Sequence, residues 1–175
     1  MPKIVDHDQK RQELLLASLP LFATEGYGNL SVRQLATSLG VTTGVLYHYF
    51  DNKEALFEQL MAFIQDRQLQ LIRMQFPQVT SKISVLEVFL KLFGTEVKQV
   101  LQVVLDYHRL YPSSNIPKEI LLGYQEAFLD ILQTSPEQAQ TCISIILGGL
   151  FQQIWGLDTD IIAQLQQVLQ EESSS

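Results

Sequence analysis

Apolar residues recur every three to four positions along nearly the whole chain, and that period constrains the fold more than any other feature. A helix turns once in about 3.6 residues, so this spacing gathers apolar side chains on one face. Over residues 9–24, Leu14, Leu15, Ala17, Ser18, Leu21 and Phe22 fall at i, i+3, i+4 and i+7, and Gly26 supplies the stop expected just past a helix. No stretch alternates apolar and polar residues strictly, and no Asn-Gly or Asp-Gly hairpin turn occurs. The expected fold class is all-α.

Local signals divide the pattern into helices. Pro20 lies inside the first and is expected to remove a backbone bond and kink its last turn. Ser31-x-x-Gln34 has the form of a capping box, opening a helix to about Leu39 that Gly40 ends. A short helix starts at Thr42. Asp51-x-x-Glu54 reads as a second capping box, and the helix from Asn52 runs to about Met74, stopping before Pro77. A stretch from Ile83 to Tyr111 follows, with a break expected at Gly94-Thr95. Pro112 to Asn115 reads as a loop, Pro117 as the first position of a helix to about Gln133, and Ser135-Pro136-Glu137 as the start of one reaching about Gly156. Asp158-Thr159-Asp160 opens a last helix, Ile161 to Gln170, and Glu171 to Ser175 reads as a solvated tail.

Composition removes several function classes. Of 175 residues, 46% are hydrophobic and 18% charged, the balance of a folded chain. The one cysteine, Cys142, permits no disulfide within the chain and no cysteine zinc cluster, and is expected to be a small buried hydrophobe. His7, His48 and His108 are too dispersed for metal-ligand spacing, and there is neither a Gly-rich phosphate loop nor a Gly-x-Ser-x-Gly elbow. The expectation is therefore no metal, no cofactor and no enzymatic activity. Met1 to Asp8 lacks the apolar core of a signal peptide, and the most apolar stretch, Cys142 to Phe151, is far short of the ~20 residues of a membrane span. A soluble, cytoplasmic protein without a membrane partner is expected.

The segment Leu35 to Tyr49 carries the chemistry. A helix-turn-helix needs a small residue where two short helices cross, a glycine in the turn, and apolar inner faces. Ala36 and Gly40 supply the first two. Leu35, Leu39, Val41, Leu46 and Tyr49 can point inward together, against Leu16 or Leu21 of the first helix. Thr42, Thr43, Gly44, Tyr47 and His48 then face outward. Thr42 caps the second helix, and Thr43 and Gly44 sit at the end that enters the major groove in such motifs. Thr43 can bond a base or meet a thymine methyl, Gly44 permits close approach, and Tyr47 and His48 carry donors for phosphate oxygens. Ser31 at one helix start and Lys53 at another add an amide-rich phosphate site and a point charge. The alternative is a plain three-helix core whose Gly and Thr are turn chemistry, but four exposed polar or aromatic groups on one short helix have little structural use.

Phe22-Ala23-Thr24-Glu25-Gly26-Tyr27, Ser31-Val32-Arg33-Gln34-Leu35-Ala36, Gly40 through Phe50 and Lys53-Glu54-Ala55-Leu56 together resemble the N-terminal domain of TetR/AcrR transcriptional regulators. The resemblance covers about residues 10–57. It implies a dimeric, all-helical repressor that binds double-stranded operator DNA, with an N-terminal three-helix domain and a variable C-terminal helical bundle for a small-molecule effector and for dimerisation. It also implies that Thr42, Thr43, Gly44, Tyr47, His48 and Lys53 occupy DNA-contact positions, with Ser31 and Arg33 contributing from the first helix of the motif. The expected domains are 1–50, DNA-binding, and 51–175, effector-binding and dimerising. The rival from another class is a helical ligand-binding or adaptor protein that keeps the motif without binding DNA.

In the C-terminal part the residues from Ile143 to Leu157 are apolar almost all round, which calls for burial on every side. A second subunit is one cover and a central position in a monomer is the other. Candidate interface positions are Ile145, Gly149, Gln152 and Trp155 with Ile162, Leu165 and Leu169 of the last helix. Phe63, Phe89, Phe93, Tyr107, Tyr124 and Phe128 are candidates to line an effector pocket, with His108 as a polar corner and Arg67 facing an anionic ligand or pairing with Asp66 or Glu87. Aromatics at helical spacing more often belong to a core.

The net charge is −7, which taken alone argues against DNA. Residues 1–60 hold Lys3, Lys10, Arg11, Arg33 and Lys53 against seven carboxylates, a net −2, and the remainder carries −5. The DNA-reading end is thus less acidic than the rest without being basic, so weak non-specific affinity is expected, with contacts through hydroxyls, aromatics and helix ends.

Overall fold

The computed structural model describes residues 7–75 and 81–170; Pro77 and the expected tail from Glu171 lie outside them. The described residues form eight helices and no strand: α1 (His7–Glu25), α2 (Val32–Ser38), α3 (Thr43–Tyr49), α4 (Lys53–Gln75), α5 (Lys82–Leu110), α6 (Ile116–Leu132), α7 (Pro136–Ile154) and α8 (Ile161–Gln170). No helix among them is long and apolar enough to cross a membrane.

Helix ends follow the capping residues. Ser31 and Gln34 form the reciprocal capping box of α2, and Ser81, Ser135 and Asp160 each accept a backbone N–H of the helix they precede. The cap of α4 is Asn52, whose Oδ1 accepts from Ala55 N at 2.8 Å, and not the expected Asp51. Glu54, the other half of the expected box, instead accepts a hydrogen bond from Tyr107. α5 runs through Gly94 without a break, because Gly94 is buried against Leu150 and packing holds it helical. Pro117 occupies the second position of α6, not the first, and the Ile116 amide donates to Ser114 Oγ. Pro20 stays within α1; the amide it lacks would have met the Leu16 carbonyl, and both residues lie on the exposed face.

Two hydrophobic clusters stack along α4 and α5. The first joins Leu14, Leu15, Leu19 and Phe22 of α1 to Leu35, Ala36 and Leu46 of the motif, then to Leu56–Ile64 of α4 and Val100–Tyr107 of α5. Of the two alternatives Leu16 and Leu21, Leu21 packs half-buried against this core and Leu16 is exposed. The second joins Leu69 and Ile72 to Val85–Val97 and to α6, α7 and α8. The change of core falls within α4 and α5, so the N-terminal helices are braced by the helices that follow them. Between the clusters lies a polar seam. Gln68 is fully buried, donating to Glu96 and accepting from the Tyr124 hydroxyl, while Arg67 also pairs with Glu96.

Candidate nucleic-acid interface

α2 ends in a tight turn that sets the direction of α3. The Gly40 amide donates to Thr37 O at 3.1 Å and the Val41 amide to Ala36 O at 2.9 Å, with Gly40 at φ +67°. This pair of bonds needs a left-handed residue between them, which glycine adopts without strain. Ala36 is buried at the crossing, as its size allows. α3 opens on Thr42, whose Oγ1 accepts from Val45 N at 3.2 Å, and is pinned to the core by buried Leu46.

The opposite face of α3 is open. Thr42, Thr43, Gly44, Tyr47 and His48 are all exposed, Tyr47 by 54%, and Ser31 and Arg33 are exposed at the start of α2. The structure therefore brings seven of the eight expected DNA-contact residues onto solvent-facing positions of α2 and α3. Lys53 has a different post. Its ammonium donates to the carbonyls of Tyr27 and Leu30, each at 2.9 Å, and lies over the Tyr27 ring. Burial holds its pKa below the usual lysine range, opposed by nearby Asp106. This charge fastens the α1–α2 loop to α4.

Two further groups at this end leave no mark in the sequence pattern. Asp106 of α5 accepts from Gly28 N at 3.2 Å, tying the long helix to the same loop. His7, at the start of α1, meets the end of α3: its Nδ1 lies 3.3 Å from the Tyr49 hydroxyl and its ring 5.5 Å from that of His48. Both are contacts between positions far apart in the chain, which no local pattern announces.

The family profile for bacterial regulatory proteins of the tetR family matches residues 14–60, the stretch that builds this turn and its braces. Over these residues the chain is similar to the N-terminal domain of tetR-family regulators. Over 58 residues it is 38% identical to the transcriptional repressor KstR2 of Rhodococcus jostii, a match covering 33% of this chain and 28% of that one. It is 26% identical over 101 residues to the transcriptional regulator PksA of Bacillus subtilis, covering 57% and 49%. The match thus spans half or less of the length of these curated relatives. The fold extends further: FadR of Bacillus subtilis, solved in complex with stearoyl-CoA, superposes with a TM-score of 0.64 over 90% of this chain and 95% of that one, at 19% identity.

The C-terminal helices sort the remaining candidates. Phe89, Phe93, Tyr124 and Phe128 lie together in the second core, with Phe89 edge-on to Phe128 at 5.4 Å. Arg67 lies beside them over the Phe93 ring, and its partner is Glu96 of α5 rather than Asp66 or Glu87. Tyr107 does not join this group. It stacks on Phe57 at 4.5 Å in the first core, because its position on α5 is about three turns beyond Glu96 of the seam. Phe63 also packs on the first core, and His108 is exposed.

Of the candidate interface positions, Gly149 and Leu165 are buried within the protomer. α8 folds back onto α7 so closely that a Cβ on Gly149 would drive into Ile161. Ile145, Ile162 and Leu169 are half-buried against the protomer's own second core. Gln152 and Trp155 are exposed; the Trp155 ring, 73% exposed, lies 6.1 Å from that of Phe151, 41% exposed, and Leu157 is 59% exposed. Cys142 is fully buried and burial pushes its thiol pKa up, in keeping with a packing role.

Proposed function

We propose that this protein is a sequence-specific DNA-binding transcriptional regulator, acting as a homodimeric repressor that a small molecule releases. The observation that carries the reading is the open face of α3. Thr43, Gly44, Tyr47 and His48 face solvent on a helix whose other side is anchored by Leu46, within a turn that the tetR-family profile matches. A recognition helix needs this division between anchored and free faces. Thr43 and Gly44 read bases at its first turn, while Tyr47, His48, Ser31 and Arg33 bond phosphates.

Dimerisation through the end of α7 is supported by the exposed Phe151, Trp155 and Leu157, apolar side chains that a second subunit would cover. An effector of apolar character is supported by a cleft of about 80 Å³ between α5, α6 and α7, lined by Val97, Val104, Ile120, Leu121, Tyr124 and Leu147 among others. Its lining holds no charged group, and Tyr124 links it to Gln68 on α4. The effector acts by preferring one spacing of the two recognition helices, through its differential affinity for the two states.

Selection of binding sites from random duplex DNA by the full-length protein, followed by gel shift, tests the reading. The expected site is a near-palindrome with half-sites about one helical turn, ~34–36 Å, apart, and Thr43→Ala and Tyr47→Ala weaken binding to it. A folded protein that selects no sequence and binds no duplex at low salt overturns the reading.

A further inference from the structure

The DNA-reading end is short of fixed positive charge. Of the five Lys and Arg among residues 1–60, Lys3 lies outside the described residues, Lys10 pairs with Glu13 at 3.2 Å, and Arg11 bonds Gln59 and lies over the Phe50 ring. Lys53 is spent on the Tyr27 and Leu30 carbonyls. Arg33 alone is exposed with no side-chain hydrogen bond or ion pair among the described residues. Phosphate binding draws on cationic contacts, so the domain needs another source.

Two imidazoles stand where that source is required. His48 is exposed on α3, and the exposed His7 approaches it from the start of α1. Their ring centres are 5.5 Å apart, and half-buried Tyr49 holds both: its ring packs edge-on to His48 at 5.0 Å and its hydroxyl meets His7 Nδ1 at 3.3 Å. A neutral His7 accepts this bond at Nδ1 and carries its proton on Nε2. A charged His7 donates to the same hydroxyl oxygen, so protonation keeps the geometry and Nε2–H stays free. The charged groups on the elements that meet here are Asp8, Lys10, Arg11, Glu13 and, at its far end, Glu25 of α1 and Asp51 beyond α3, with the Tyr47 and Tyr49 phenols.

We infer that His7 and His48, set by Tyr49, form a paired-imidazole clamp for a DNA phosphate, so that operator binding takes up protons. This rests on the DNA-binding reading above. A phosphate seated between the two rings accepts an N–H from each and favours the charged form of both. Histidine titrates near pH ~6.5, so operator affinity rises as the pH falls through that range. Each histidine whose proton is held more firmly by about one pKa unit in the complex contributes up to about tenfold.

The test is a titration of full-length protein against its selected operator, by fluorescence anisotropy, at about pH 8 and about pH 6 and over a range of salt. His7→Gln, His48→Gln, the double variant and His7→Lys are compared with the parent, and circular dichroism confirms their helicity. The parent is expected to bind at least about tenfold tighter at the lower pH, with a salt slope steeper by about 0.9 for each further phosphate charge neutralised. The double variant is expected to lose the difference between the two pH values, whatever its affinity, and His7→Lys to shrink it by raising affinity at the higher pH. An unchanged pH difference in the double variant, or none in a parent that binds its operator, overturns the clamp and leaves the DNA-binding reading standing. No binding at either pH removes both.

Discussion

The Lys53 ammonium lies 4.2 Å from the centre of the Tyr27 ring and 2.9 Å from the Tyr27 carbonyl oxygen. One side chain thereby caps the loop that joins α1 to α2 and fixes it to the start of α4. Tyr27 is itself locked, edge-on to Tyr107 at 4.9 Å, and burial, first among several causes, pushes its phenol pKa well up. The orientation of the recognition motif therefore depends on a cation that its sequence position assigns to DNA.

Lys53→Met is expected to lower stability by about 2 kcal/mol, since it keeps the stem but leaves two carbonyls without a charged donor. Urea unfolding followed by circular dichroism measures this. Lys53→Arg is expected to recover only part of the loss, because the larger planar guanidinium must reorient to bond the two carbonyls that one ammonium meets. An unchanged urea midpoint combined with weaker operator binding would return Lys53 to the phosphate backbone.

The polar seam makes a second expectation. Tyr124→Phe removes the donor to a fully buried Gln68 oxygen, at an expected cost of about 1–3 kcal/mol. Gln68→Leu alone frees both the Tyr124 hydroxyl and one Glu96 oxygen. The double variant is expected to cost less than the two single changes added together, because the orphaned partners then leave as a pair. Additive losses in the double-mutant cycle would show that the bond between them contributes little.

Elements and the motif were legible in the sequence because their signals are local. Ser31 and Gln34 sit three apart, Gly40 follows four after Ala36, and the outward positions of α3 follow from its period. Tertiary choices were not. Arg67 pairs with Glu96, twenty-nine positions away, and Lys53 turns inward to a loop; neither leaves a trace in spacing. Gly149 reads as a site of close approach, and it is one, but the helix that approaches is the protomer's own α8. Apolar period shows that a face is buried without naming what buries it.

Cys142 is fully enclosed in the second core, and its raised pKa keeps it a thiol at neutral pH. Thiolate is the reactive form, so an aromatic disulfide reagent is expected to label the folded protein far more slowly than the urea-unfolded chain. Labelling at the unfolded rate in buffer would mean that α7 opens readily.

Adjacent glycines in α7 give a test of the proposed dimer. Gly149→Ala places a methyl against Ile161, and α8 must shift, at an expected cost of about 1–3 kcal/mol in unfolding. Gly148 has open space around it and lies inside the helix, so Gly148→Ala is expected to stabilise an isolated protomer by up to about 1 kcal/mol. Gly148 precedes the exposed Phe151 and Trp155 by about one and two turns. At a dimer interface on that face, the added methyl holds two α7 helices apart. Sedimentation velocity is then expected to find Gly148→Ala dissociating at concentrations where the parent is dimeric, with helicity intact, and Trp155→Ala doing the same. A Gly148→Ala protein that dimerises like the parent would place the interface on another face.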